Sequence, residues 1–138
     1  MATVVDIADA VKDALNAAEW SRPVTAERLF RPRFELAEMH SLHVSVVPRG
    51  VEMSAAGRGL DQRDVQIDVA VQKKLDDEAE VAGLLGLVEQ IADFVRHTRR
   101  FGPAVWVRTE NEPIYSVEHL GELRQFTSVL TLTCRVVS

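Results

Sequence analysis

The stretch RQFTSVLTLTCRVV, residues 124–137, limits what this chain can fold into more than any other. β-branched residues are dense in it and neither Gly nor Pro interrupts it, which is strand chemistry. Phe126, Ser128, Leu130, Leu132, Cys134 and Val136 would line one face. Thr127, Val129, Thr131, Thr133, Arg135 and Val137 would line the other. At about 3.3 Å per residue the run extends about 45 Å, whereas the usual strand has roughly 5–6 residues. An edge that long pairs with other chains unless something covers it. The expectation is therefore that the strand reaches into a neighbouring subunit, with the uncharged residues Val129, Thr131, Thr133 and Val137 as the candidate subunit interface.

The rest of the composition fits one globular domain spanning residues 1–138. Apolar residues make up 46% and charged residues 27% of the 138, ordinary values for a chain with a core. The net charge of −5 argues against a nucleic-acid-binding module, which carries a basic surplus. The single cysteine, Cys134, excludes an internal disulfide framework and reads as a small core residue. The opening residues lack the basic region of a signal peptide, and no run of about 18 apolar residues offers a membrane span. A protein made in a cytoplasm, with no membrane partner, is expected.

Along the chain, Ile7, Val11, Leu15 and Ala18 recur at helical spacing and predict a helix over residues 4–19. Thr3 followed by Asp6 resembles a capping box. A strand is expected over residues 24–31, at an edge or bent because Pro32 cannot join a central ladder. Residues 42–47 predict another strand, closed by Pro48 and Gly50, then a short separate strand VEMSAAG, then a loop RGLDQ. RDVQIDVAVQKKL alternates cleanly, with one apolar and one wet face. DDEAEVAGLLGLVEQIADFVRHTRRF predicts the second helix, capped by Asp76 or Asp77, with Val81, Leu84, Leu85, Val88, Ile91, Ala92 and Val95 as its apolar stripe and Gly102-Pro103 as its stop. Residues 104–110 predict a strand, followed by a polar bend with Pro113 and an irregular VEHLGEL. Runs of strands between helices indicate an α+β fold: a mainly antiparallel sheet with two helices packed on one face.

Catalytic chemistry is hard to find. His40 and His43 are too few for a metal site, which needs three or four ligands. GRG lacks the Lys-Ser/Thr and following helix of a phosphate loop. Acids cluster at turns and at a helix start, where capping and solvation account for them, and there is no G-x-S-x-G elbow. The arginines of FRPRF and VRHTRRF read as charge on a turn and at a helix end. No catalytic, cofactor or metal residue is assigned, and a non-enzyme is expected.

The order of elements resembles the small neck and tail-completion proteins of tailed bacteriophages and prophages, tail terminators in particular. The stretches VVPRGVEMSAAGRGLDQRDVQIDVAVQKKL, EVAGLLGLVEQIADFV and VWVRTENEPIYSVEHLGELRQFTSVLTLTCRV carry the resemblance over roughly the carboxyl-terminal two thirds. It implies a tail-terminator-like α+β subunit with no cofactor. Such subunits form a homo-oligomeric ring, a hexamer, located in the virion at the head–tail junction. The ring stops polymerisation of the tail tube and joins the tail to the head connector, its partners being the tail tube protein and the connector or neck protein. By position, the candidate partner contacts are Arg58, Asp61, Gln62 and Arg63 in the hairpin of residues 55–64, and Glu110, Asn111, Glu112 and Tyr115 in the bend of residues 109–123. Another head–tail connector or head-closure subunit, a small α+β enzyme using Cys134 or His119, and an unrelated α+β binding module are the other readings.

Overall fold

The computed structural model describes residues 3–31 and 41–137. Over these described residues it is an α+β fold in which a six-stranded sheet, almost wholly antiparallel, carries two α-helices. Helix α1 spans Val4–Ala17. The Thr3 hydroxyl accepts from the Asp6 N–H at 3.2 Å and the Asp6 carboxylate accepts from the Thr3 N–H at 2.9 Å, so the expected capping box is formed. Two of the four orphan N–H groups at the helix start are satisfied by it. The helix stops at Ala17 rather than residue 19 because Trp20 folds back, donating its indole N–H to the Leu15 carbonyl.

Asn16 sets the next element. Its side chain donates to the Ala26 carbonyl and accepts from the Ala26 N–H, which fixes strand β1, Ala26–Arg28, beside the end of α1. The strand is shorter than residues 24–31 and lies at the sheet edge, parallel to β2. Strand β2 is continuous over His43–Gly57, where the sequence predicts a break at Pro48 and Gly50. The break is absorbed by a bulge between Pro48 and Gly50. Val46 turns its carbonyl outward to the Leu29 N–H, so Pro48, two residues on, also turns its backbone outward, where the missing N–H costs the β2–β3 ladder nothing. The loop expected over RGLDQ shrinks to Arg58 and Gly59, with Gly57 already paired to Leu60. Gly59 supplies the positive φ of 73° that this tight turn needs. Strand β3 then runs over Leu60–Lys74.

Helix α2 spans Glu80–Thr98. Neither Asp76 nor Asp77 is its N-cap: that position is Ala79, and Asp77 instead accepts from the Ala79 N–H. The helix ends at Arg99, which takes a φ of 63° and donates its N–H to the Val95 carbonyl. Gly102-Pro103 therefore does not stop the helix; it turns the chain between β4, Arg100–Phe101, and β5, Ala104–Glu110. The segment expected to be irregular contains one turn of π-helix, His119–Leu123. Strand β6 closes the fold over Gln125–Val137.

The strand order is β1-β2-β3-β6-β5-β4, and it answers the question of the long strand. β6 is not an edge. β3 pairs with it from Gln125 to Val137, and β5 covers its other side from Thr131 to Arg135. Below β5, the Asn111 side chain donates to the Val129 carbonyl and the Ser116 N–H to the Thr127 carbonyl. β6 is long because β3 is long. The expected reason for its length, an uncovered edge entering a neighbour, is overturned.

The helices cover one face, as predicted. Ile7, Val11 and Leu15 of α1 and Leu84, Leu87, Val88, Ile91 and Val95 of α2 share one core with Val44 and Val46, with Val65, Ile67, Val69 and Val71, and with Phe126, Leu130, Leu132 and Cys134. Leu87 is fully buried although the predicted stripe omits it, while Leu85 is only half-buried.

Candidate functional site

Two surfaces carry the candidate residues in the described part of the chain: the sheet face away from the helices and the outer half of the β2–β3 hairpin. On the open face, register decides the chemistry. β6 contributes the row Val129, Thr131, Thr133, Arg135, but its neighbour β3 sets Asp64, Gln66 and Asp68 opposite. β2 adds Arg49 and Glu52, and β5 adds Arg108 and Glu110. The face is therefore charged, not the uncharged surface expected from β6 alone. The charges are largely matched to one another. Arg135 grips Asp64 with two parallel bonds, Nε to Oδ1 at 2.9 Å and Nη2 to Oδ2 at 3.2 Å. Arg49 Nη1 donates to the Thr131 hydroxyl at 3.3 Å and lies 3.5 Å from Asp68, which accepts from that same hydroxyl at 2.8 Å. Arg108 Nε donates to Glu110 at 3.1 Å.

Of the four candidate interface residues, only Val137 is freely exposed. Thr133 is 1% exposed, and its hydroxyl has no hydrogen-bond partner among the described residues. Thr131 is occupied by Asp68 and Arg49, and Val129 is half-buried in the wall of a polar groove. That groove has a volume of about 470 Å³. It joins Val129 and Thr131 to Glu110 and Glu112, with Arg49 and Asp68 on its far side.

The second candidate set divides. Glu110 and Glu112 are exposed, but Asn111 is a strut, donating to Ser128 Oγ at 3.1 Å as well as to the Val129 carbonyl. Tyr115 packs its ring 6.5 Å from that of Phe126. These two hold the bend against β6. The first set lies at the other end of the sheet. Arg58 and Asp61 are exposed, and Gln62 and Arg63 are half-buried at the level where β6 ends. The structure does not bring the two sets together. The residues that sequence reasoning omitted are Asp64 and Arg135; pairing the wet face of β3 with that of β6 would have found them.

Every residue from 51 to 61 is exposed. Val51, Met53 and Leu60 are large apolar residues in this ribbon, exposed by 41%, 68% and 46%. Beyond the β1 pairing, the outer edge of β2 has no strand partner among the described residues.

The remaining expectations about chemistry fall as follows. Burial pushes the Cys134 thiol up to about 11, so it is a neutral core group at ordinary pH. His119 is hydrogen-bonded through Nδ1 to the Thr127 hydroxyl at 2.9 Å, seven residues down β6 from Cys134, or about 23 Å; the two do not form a pair. His43 is half-buried at the start of β2. His40, and Pro32, Arg33 and Phe34 of the FRPRF stretch, lie outside the described residues. Arg28 packs over the Phe30 ring at 4.3 Å and pairs with Asp9. Among the described residues no group of three or more metal-ligating side chains converges, and no helix is long and apolar enough to cross a membrane. No family model matches the chain, and no curated protein aligns with it.

Proposed function

We propose that this chain is a non-enzymatic structural subunit of a tailed-phage or prophage particle. In this reading six copies close into a ring at the end of the tail tube, stop its growth and present a surface to the head connector. The subunit is made in the host cytoplasm and ends in the virion at the head–tail junction. The observation that carries the reading is the projecting β2–β3 ribbon. A monomeric protein gains nothing from an exposed strand pair bearing Val51, Met53 and Leu60 whose outer edge is unpaired among the described residues, and such edges are normally blunted. An assembling subunit needs such an element. Repeated head-to-tail contacts that close on themselves give a ring.

The test is the mass in solution by light scattering, with negative-stain images of the same peak and of tail tubes assembled in its presence. A ring with a central hole that caps tubes and limits their length is the expected result. A monomer that leaves tube length unchanged would overturn the reading. Deleting residues 57–61 should abolish capping while the helices and core remain folded.

A further inference from the structure

The outer half of the β2–β3 hairpin has little to hold it shut. None of residues 51–61 is buried, and a two-stranded hairpin without a buried face is marginal in water. Its third strand is only the tip of β6, where Arg135, Val136 and Val137 stand opposite Asp64, Arg63 and Gln62. The ladder also contains a conflict. Glu52 of β2 stands directly across from Asp64 of β3, and like charges in that position push strands apart.

Arg135 resolves the conflict from the third strand. Its guanidinium takes both oxygens of Asp64, at 2.9 and 3.2 Å. With the Gln62 amide oxygen turned toward it, the same group also donates to Gln62 at 3.2 Å from Nη2, with Nε, already bonded to Asp64, 3.1 Å from that oxygen. One side chain thus holds two successive open-face positions of β3. Arg108 adds a further positive charge near Asp64. Just below, the bulge between Pro48 and Gly50 interrupts the β2 ladder, and bulges are where strands bend.

We infer that residues 51–64 form an arm whose strands fray apart beyond the Pro48–Gly50 bulge, and that Arg135 latches it shut across Asp64 and Gln62. Opening separates β3 from the end of β6 and Glu52 from Asp64 without disturbing the core, which begins at Val65 and Cys134. It lets the arm adjust to the surface it meets, and it does not depend on what that surface is.

Backbone amide exchange tests this residue by residue. In the native chain, the arm should exchange faster than residues 65–71 and α2. Arg135→Gln should raise exchange across the arm by about fivefold, the upper range for a well-formed surface ion pair, and leave α2 unchanged. Glu52→Gln removes the repulsion while sparing the latch, so it should slow arm exchange and, combined with Arg135→Gln, restore part of the native protection. The latch is refuted if Arg135→Gln leaves the arm unchanged or speeds α2 equally. It is also refuted if Glu52→Gln fails to slow the arm, a test on a surface variant with no core contact to lose.

Discussion

Lys73 is a lysine with 8% of its surface exposed, a position lysine occupies only when paired. Its ammonium donates to Glu80 Oε2 at 2.9 Å and to the Lys74 carbonyl at 3.1 Å, while Glu80 Oε1 accepts from the Asp76 N–H. One carboxylate thus ties the end of β3 to the first turn of α2 and closes the loop between them. The bond from Lys73 holds the Glu80 carboxyl below its ordinary value of 4.5. A carboxyl depressed in the folded state stabilises the fold above its unfolded pKa and loses that contribution as pH falls through the folded value. Asp64, depressed mainly by Arg135, acts in the same direction. Urea midpoints should therefore drop between neutral pH and about pH 3, and the drop should be smaller in Glu80→Gln; an equal drop would mean the pair carries no acid sensitivity. Within α2, Leu87→Ala should cost about 2–5 kcal/mol, as for a buried leucine, and Leu85→Ala clearly less. Denaturation of the two variants checks the rotational phase of the helix.

Elements whose signals are local could be read from the chain. The Thr3–Asp6 box announces α1, the period of β3 announces one wet face, and β5 needed only its β-branched run and flanking turns. Thr3→Ala should cost about 1 kcal/mol, the usual value of an N-cap, measurable as a lowered Tm. At the other end of β3, Gly59 holds a positive φ. Gly59→Ala should destabilise the hairpin by about 1 kcal/mol, since a Cβ disfavours that conformation, and should show first as faster amide exchange next to the turn. Features that depend on pairing could not be read this way. Pro48 looks like a strand end until the outer edge of β2 is seen to be where its backbone points. Asp76 and Asp77 look like caps until Ala79 takes the position and Lys73 draws Glu80 back toward the sheet. The open face looks uncharged from Val129 to Thr133 of β6 until Asp64 and Asp68 of β3 are set beside it, and the Asp64–Arg135 pair shows only once the register of the two strands is known.

At the scale of the molecule, everything turns on β6 lying between β3 and β5. In sequence it is the last strand and looks expendable, a tail free to enter another subunit. In the fold it joins two halves that touch little otherwise: β1, β2 and β3 on one side, β4 and β5 on the other. It also contributes Phe126, Leu130, Leu132 and Cys134 to the common core. Ending the chain after Leu123 removes those side chains, strips the inner edge of β3 and leaves β5 with only the two-residue β4. Each lost large apolar side chain is worth roughly 1.5–3 kcal/mol of burial, and a domain of this size holds about 5–15 kcal/mol in total. The truncated chain should therefore show no cooperative unfolding and no native near-ultraviolet dichroism from Trp20, which packs edge-on against Phe94 at 5.2 Å, or from Trp106. Supplying residues 124–138 as a peptide should restore both signals, because those residues complete the core in the empty slot between β3 and β5. A truncated chain that folds unaided would return β6 to the role of an intersubunit strand and would move the search for the assembly surface away from the β2–β3 ribbon.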